Sequence, residues 1–178
     1  MRKKTVIIHT DWSKLKTGFS KHKRAILRYL FNTGKYNVIE SCNGLPLDHP
    51  ELKAMPWPAY GALASPDKQN EINSIQDQGQ RENSARLNNY GAFGLEKIVK
   101  QTAADVLIIS QDSWGADFVP DAPWAKKITY VPHITIDSKN LMPAQIDLAA
   151  KVDKLYLWAS FGVKMYEELG YKNVDRKS

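Results

Sequence analysis

Three polar side chains follow predicted strands in the second half of the sequence. Asp112 comes after the apolar run at 106–109, and His133 and Asp137 come after the run at 128–131. Aspartate oxygens accept hydrogen bonds from hydroxyl groups, and an imidazole exchanges a proton near neutral pH. If the runs are parallel strands, their carboxyl ends meet at one sheet edge, where α/β proteins bind ligands. Alternatively, the aspartates are cap or turn residues and His133 is a hydrogen-bonded structural residue.

A second candidate ligand site lies at the start of the first predicted helix. A β-branched run near the amino terminus is typical of a buried strand, and a loop leads from it to this helix. Thr17, Gly18, Phe19 and Ser20 open the helix, and Lys21 follows. A helix N-terminus offers backbone N–H groups to an anion, and a glycine lets a ligand approach closely. A plain connection from loop to helix explains the same residues without a ligand.

Strands and helices alternate along the chain and must position these residues. We predict strands at 6–8, 36–40, 106–109, 128–131 and 155–158. We predict helices at 18–31, 91–102, 144–152 and 160–169. This alternation is typical of an α/β fold with a doubly wound, mostly parallel sheet and right-handed crossovers.

Helical spacing also predicts which faces of the helices are buried. The apolar residues that recur at this spacing on the first helix are Phe19, Ile26, Leu27, Leu30 and Phe31. The basic residues expected mostly off that stripe are Lys21, Lys23, Arg24 and Arg28. On the last helix Phe161, Met165 and Leu169 are expected to face inward, and Phe93 is expected to dock the 91–102 helix on the sheet.

Residues 44–90 interrupt the alternation. Five prolines between 44 and 66 make a long helix there unfavourable and predict an extended excursion over the surface. Within it, Trp57 and Tyr60 either anchor the loop to the body or offer a stacking wall to a ring-shaped ligand. The following stretch is polar, and a weak pattern at 70–78 predicts a helix with Ile72 and Ile75 inward. We therefore treat 44–90 as an insertion in a single domain that spans 1–178.

The composition limits the class of protein. A chain of 178 residues with 43% hydrophobic residues suffices for one core but not for two full domains. No apolar run approaches the roughly 20 residues of a membrane span, so we expect a soluble, cytoplasmic protein. A single cysteine, Cys42, excludes an internal disulfide. The four histidines lack any close ligand spacing, so no metal site is predicted.

The formal charge of +6 is concentrated at the amino-terminal end. Residues 1–39 contain ten Lys or Arg and one acid, Asp11, whereas the rest of the chain carries a net charge of −3. A basic face at 14–35 would attract phosphates, an anionic membrane surface or nucleic acid. An ordinary solvated helix face explains the same charges.

Several segments together resemble a known family. The chain resembles the N-terminal, acceptor-side Rossmann-like domain of a GT-B glycosyltransferase, most closely the retaining group 1 (family 4) class. The resemblance covers 5–33 and 92–174, whereas 44–90 match no segment of that family. The segments that carry it are Thr17-Gly18-Phe19-Ser20, the strand 105–112, residues 131–137, and the final unit with Ala159-Ser160-Phe161-Gly162 and Glu168-Leu169-Gly170-Tyr171.

The resemblance implies a function and a missing part. Members transfer a sugar from a nucleotide-sugar co-substrate, with no other cofactor, and hold that donor in a second Rossmann domain, commonly with two glutamates separated by seven residues. No such pair occurs in this sequence. We therefore expect an acceptor-binding half that is inactive without the second domain.

The resemblance also assigns roles to residues of this chain. It implies a catalytic role for His133, because some members place a functional histidine near the sugar. The residues implied to bind substrate are Thr17, Gly18, Phe19, Ser20, Lys21, Asp112, Trp114 and Asp137. The expected partners are a sugar acceptor, with an anionic acceptor as one alternative, and the second domain. A further copy of the chain is also expected, covering an exposed apolar flank.

The same sequence features are consistent with two other functions. One is a non-catalytic Rossmann module that binds a nucleotide or a phosphosugar. The other is a nucleic-acid-binding protein that uses the basic first helix and Trp12. The first loop lacks the glycine patterns of NAD-binding and P-loop proteins, which argues against both of those classes.

Overall fold

A computed structural model describes residues 2–176 and divides the chain into two compact units. The first unit ends at Asp105 and the second begins at Val106. Each unit combines β-strands with α-helices, and the strand pairs within each unit are parallel. The predicted α/β class with a parallel, Rossmann-like arrangement is therefore confirmed.

The first unit is built on three parallel strands, with β2 between β1 and β3. Its elements are β1 (Lys4–Thr10), α1 (Gly18–Asn32), β2 (Tyr36–Cys42), β3 (Ala59–Gly61), α2 (Pro66–Asn73), α3 (Gln78–Asn89) and α4 (Leu95–Thr102). The register pairs Thr10 with Cys42 and Cys42 with Gly61, so the three carboxyl ends are level. Buried side chains such as Ile7, Leu27 and Ile98 form its core.

The second unit contains four parallel strands in the order β4, β5, β6, β7. Its elements are β4 (Val106–Asp112), β5 (Thr129–Thr135), α5 (Pro143–Lys151), β6 (Leu155–Leu157), α6 (Ser160–Glu168) and β7 (Val174–Arg176). Its core includes the fully buried Leu107, Ile134 and Tyr166. None of the helices among residues 2–176 combines the length and the hydrophobicity that crossing a membrane requires.

The predicted inner face of α6 is wrong by one helical position. Phe161 and Leu169 are 44% and 56% exposed, whereas Gly162 and Tyr166 are buried. A Cβ on Gly162 would lie 3.4 Å from side-chain atoms of Ile136 and Leu157. The helix therefore approaches the strands along its small residue, and that close approach rotates the larger apolar side chains outward.

Residues 44–90 contain more regular structure than their sequence indicates. A single-turn 3₁₀ helix (Pro50–Ala54) and the short strand β3 lie in the proline-rich stretch. The helix expected at 70–78 is wrong in its bounds, because α2 ends at Asn73 and α3 begins at Gln78. Ile72 is buried as expected, but Phe93 is 38% exposed and does not dock α4.

Substitution by alanine should change the stability of the protein much more at Gly61 than at Gly18. A Cβ on Gly61 would lie 2.0 Å from the carbonyl oxygen of Pro46, whereas a Cβ on Gly18 meets nothing within 4 Å. We expect Gly61→Ala to lower the free energy of unfolding by about 2–3 kcal/mol. Gly18→Ala should change it by less than about 0.5 kcal/mol. Urea unfolding measures both, and equal effects would contradict the packing at β3.

Candidate functional site

The residues predicted at the start of α1 form a capped helix N-terminus. The Thr17 hydroxyl oxygen accepts a hydrogen bond from the Ser20 backbone N–H at 3.1 Å and donates one to the Asp11 carboxylate at 2.7 Å. Ser20 is buried, whereas Gly18 and Lys21 are exposed. The Ser20 N–H is therefore not free for a ligand, and the Asp11 carboxylate already supplies negative charge beside this helix end. Lys21 remains accessible to an anionic group.

Lys23 lies on the buried side of α1, contrary to the prediction that it lies off the apolar stripe. Its side chain is fully buried, and Nζ lies 3.1 Å from Glu40 Oε1. Nζ also donates hydrogen bonds to the carbonyl oxygens of Thr10 at 3.2 Å, Asp11 at 2.9 Å and Ser41 at 2.7 Å. The ammonium thus joins the carboxyl ends of β1 and β2.

The carboxylate of Glu40 completes this buried polar group. It accepts hydrogen bonds from the Ser13 backbone N–H at 2.8 Å and from Trp57 Nε1 at 2.7 Å. Burial favours the neutral carboxyl, but the Lys23 charge and these hydrogen bonds prevail, so the pKa of Glu40 is lowered. Trp57 thereby anchors the proline-rich stretch, as one of its two predicted roles requires.

His9 packs against the same group and is neutral. Its Nε2 lies 3.0 Å from the Tyr90 carbonyl oxygen, so Nε2 carries the proton and Nδ1 accepts from the Ser41 hydroxyl at 2.9 Å. Complete burial, together with the Lys23 charge, lowers the pKa of His9 to about 3. Gly91 adopts a φ of +87°, and a Cβ there would lie 2.9 Å from His9 Cε1. His9 is therefore a packed residue, as its position in a strand suggests.

We call Lys23, Glu40, His9 and their partners Ser13 and Ser41 the buried network. It lies beneath the loop that leads from β1 to α1, and it fixes the backbone of that loop at Thr10, Asp11 and Ser13. Cys42 belongs to the same region, where burial raises the pKa of its thiol to about 12. Its thiol is therefore an inert group under physiological conditions.

In the second unit the predicted site residues lie at the carboxyl ends of β4 and β5. Asp112 pairs in register with Thr135, whose hydroxyl donates a hydrogen bond to the Asp112 carboxylate. His133 pairs in register with Ser110, so all four side chains extend from the same face of the strands. The structure therefore brings Asp112 and His133 to one edge, as predicted.

The remaining predicted residues of the second unit differ in accessibility. Trp114 is 37% exposed in the short 3₁₀ turn (Ser113–Gly115) that follows β4. Asp137 is exposed two residues beyond β5. His133 is only 7% exposed, and its ring centroid lies 5.6 Å from that of Trp158. Solvent therefore reaches Asp137 and Trp114 more readily than His133.

Sequence reasoning missed two serines of this edge. Ser110 and Ser113 are 0% and 1% exposed, and among the described residues neither hydroxyl has a hydrogen-bond partner. The sequence signal for them was their position on either side of Asp112 at the end of a predicted buried strand. Buried serine hydroxyls there need hydrogen-bond partners. Within the same described residues no cluster of three or more His, Cys, Asp or Glu could hold a metal ion.

Comparisons with known proteins identify the fold. No family model matches the chain, and no curated protein matches it. The solved structure of a protein from Listeria monocytogenes assigned as a UDP-N-acetylglucosamine 2-epimerase aligns with 98% of the chain, at a TM-score of 0.53 and 9% identity. UGT2 from Phytolacca americana, complexed with UDP-2fluoro-glucose and pterostilbene, aligns with 100%, at a TM-score of 0.55 and 8% identity.

The fold is that of a GT-B Rossmann-like domain. The predicted resemblance is confirmed at the level of the fold. The chain spans 44% of the Listeria protein and 54% of UGT2, which is about half of each.

Lys23 provides a direct test of the buried network. Lys23→Met leaves the Glu40 carboxylate buried without its cation, so we expect the free energy of unfolding to fall by about 3–5 kcal/mol. The matched control is Lys21→Met on the exposed side of the same helix, with an expected change below about 0.5 kcal/mol. Lys23→Met combined with Glu40→Gln should recover part of the loss. Urea unfolding that finds both single variants alike would contradict the network.

His9 should make the stability depend on pH. Below its ordinary pKa of 6.5 the unfolded chain binds a proton that folded His9, with a pKa of about 3, does not bind. Lowering the pH therefore favours unfolding, by about 2 kcal/mol between pH 6.5 and pH 5. His9→Gln should remove this contribution, which chemical unfolding at both pH values measures. Parallel pH profiles for the two proteins would be inconsistent with a neutral, buried His9.

Proposed function

We propose that this chain is the acceptor-binding half of a glycosyltransferase that uses a nucleotide-sugar donor. The donor would be held by a second Rossmann domain, and the chain would not turn over substrate without that domain. No cofactor other than the nucleotide-sugar co-substrate is required.

The observation that best supports the proposal is the alignment of the whole chain with about half of UGT2, a protein complexed with UDP-2fluoro-glucose. One such half presents one wall of a two-domain active site. The sequence resemblance to the acceptor-side domain, which includes residues 105–112 and 151–171, points to the same half.

The polar groups at the ends of β4 and β5 suit an acceptor with hydroxyl groups. The Thr135 hydroxyl holds the Asp112 carboxylate, which leaves oxygen lone pairs for a second hydroxyl. Asp137 offers an exposed carboxylate at the same strand ends. Ser110 and Ser113 lie in the same part of the chain, but both are buried, so the acceptor would contact the aspartates rather than these hydroxyls. Trp114 adds an exposed ring that can cover an apolar part of the acceptor.

The start of α1, in the first unit, has accessible groups of its own. Gly18 is exposed and leaves room for close approach of a ligand, and Lys21 offers an exposed cation to an anionic group. The Thr17 and Ser20 hydroxyls are hydrogen-bonded to each other, and Thr17 also donates to Asp11, so their role is to hold the helix start. Phe19 is half-buried.

The reaction itself is a substitution at the anomeric carbon. The bond from that carbon to the diphosphate breaks, the acceptor oxygen forms the new bond, and the hydroxyl proton leaves to a base or to the departing diphosphate. We assign His133 as the candidate base because a neutral imidazole can take such a proton. It is 7% exposed and lies beside Trp158, so an acceptor would reach only a small part of the ring.

Binding by the isolated chain tests the proposal. We expect pterostilbene or glucose 6-phosphate to shift amide NMR signals of residues 110–114 and 133–137, and UDP-glucose alone to shift them much less. Asp137→Asn should weaken acceptor binding by about fivefold, the value of about 1 kcal/mol for one hydrogen bond. Asp153→Asn, an exposed aspartate before β6, is the matched control.

Opposite results would count against the acceptor role. Tight binding of UDP-glucose without any acceptor response would favour the non-catalytic nucleotide-binding module. Equal losses of acceptor affinity in Asp137→Asn and Asp153→Asn would show that the ends of β4 and β5 are not the binding site. Sugar transfer by the chain alone would contradict the need for a second domain.

The exposed cations of the first unit favour a second candidate, binding to nucleic acid or to an anionic membrane. Lys14, Lys16, Lys21 and Arg28 are all exposed on the 14–35 face. The face is smaller than the sequence suggests, because Lys23 is buried and Arg24 donates to the Ser13 carbonyl. Anisotropy of a labelled DNA should then fall steeply between 50 and 200 mM salt. Absent or salt-insensitive binding excludes the nucleic-acid function.

A further inference from the structure

A cavity of about 420 Å³ lies at the amino ends of β1 and β2, away from the carboxyl ends that carry the predicted site residues. Three aromatic side chains line it: Phe31 near the end of α1, Tyr36 at the start of β2, and Tyr60 in β3. Phe31 and Tyr36 are 43% and 37% exposed, so a ligand reaches their rings from solvent. Exposed aromatic rings grouped around a concavity are unusual on a surface without a binding role.

The rest of the cavity wall is uncharged. It combines apolar residues, Val38, Ile39 and Pro58, with uncharged polar ones. Asn37 and Gln101 present side-chain amides, and Thr5 and Thr102 present hydroxyls. Among the described residues, neither amide has a hydrogen-bond partner, and no Lys, Arg, Asp or Glu lines the cavity. An amide both donates and accepts, so these groups match a ligand that also does both.

Phe31, one of the three rings, packs against an anchored side chain. The ring centroid of Phe31 lies 5.8 Å from that of Trp57, with the planes at 69°. Trp57 is 5% exposed, and its Nε1 donates to the buried Glu40 carboxylate at 2.7 Å. A ligand that stacks on Phe31 therefore meets a surface whose conformation is already fixed, which reduces the entropy lost on binding.

The combination of rings and neutral hydrogen-bonding groups selects a class of ligand. A sugar ring has an apolar C–H face that packs on aromatic rings and hydroxyls around its edge that exchange hydrogen bonds with amides. A phosphate or a nucleotide would find no cation in the cavity wall. The volume is within the range of about 300–1,000 Å³ typical of small-ligand sites. We propose that this cavity is a binding site for a neutral oligosaccharide.

This site is separate from the proposed acceptor site and does not rest on it. The cavity belongs entirely to the first unit, whereas Asp112 and Asp137 belong to the second. Loss of one binding event is therefore measurable without loss of the other.

The experiment is an NMR titration of the full chain with maltohexaose, cellohexaose and chitohexaose. We expect at least one of these to shift the amide signals of residues 36–37 and 101–102. Tyr36→Ala should lower its affinity at least tenfold. The matched control is Tyr29→Ala, because Tyr29 is 71% exposed near the end of the same helix as Phe31 but does not line the cavity. Asp137→Asn should leave this binding unchanged.

Four outcomes would overturn the proposal. The first is that none of the three oligosaccharides shifts these signals. The second is that Tyr29→Ala weakens binding as much as Tyr36→Ala does. The third is that a sulfated heparin hexasaccharide binds more tightly than the neutral sugars, which would contradict the uncharged class. The fourth is a dimer in sedimentation experiments that Tyr36→Ala abolishes, which would make this face a contact between two copies of the chain.

Discussion

The first unit depends on a charged pair removed from water. Lys23 and Glu40 are both completely buried, and each charge is stable there only because oxygen and nitrogen atoms of several elements surround it. The ammonium fixes the ends of β1 and β2, and the carboxylate fixes Ser13 and Trp57. Because a buried charge cannot lose these partners cheaply, the loop between β1 and α1 has one arrangement.

This constraint explains why the polar residues near the start of α1 divide into two groups. Thr17 and Ser20 bond inward to the helix and to Asp11, which holds the helix start above the buried network. Gly18 and Lys21 stay exposed because no partner draws them inward. A rigid loop with only a few accessible groups is a suitable support for a ligand, since little of it must be ordered on binding.

The second unit assembles its edge by strand register rather than by buried charge. Parallel pairing of β4 with β5 places Asp112 beside Thr135 and Ser110 beside His133. Residues separated by more than twenty positions in the chain thus become neighbours through backbone pairing alone, and no long side chain is needed to connect them. The edge keeps an exposed carboxylate at Asp137, so its chemistry is accessible, whereas that of the buried network is not.

The sequence alone predicts the strands at 6–8 and 106–109 well, because continuous β-branched or aliphatic runs have few other stable arrangements. It misses β3 and β7, three residues each, because such short strands have too few residues to show a period. On α6 it identifies the helix but not the buried face, since the close approach at Gly162 overrides the larger apolar residues.

The amino-acid sequence by itself determined the α/β class, the order of the main strands and helices, and the position of Asp112 and His133 at strand ends, because these follow from local periodicity. Only the tertiary structure decided the burial of Lys23. The sequence predicts Lys23 off the apolar stripe, although it is four residues from both Phe19 and Leu27. A lysine on that stripe is stable only if a carboxylate faces it, and this carboxylate is seventeen residues away in the chain. That pairing depends on how α1 packs across β1 and β2, which no local pattern records.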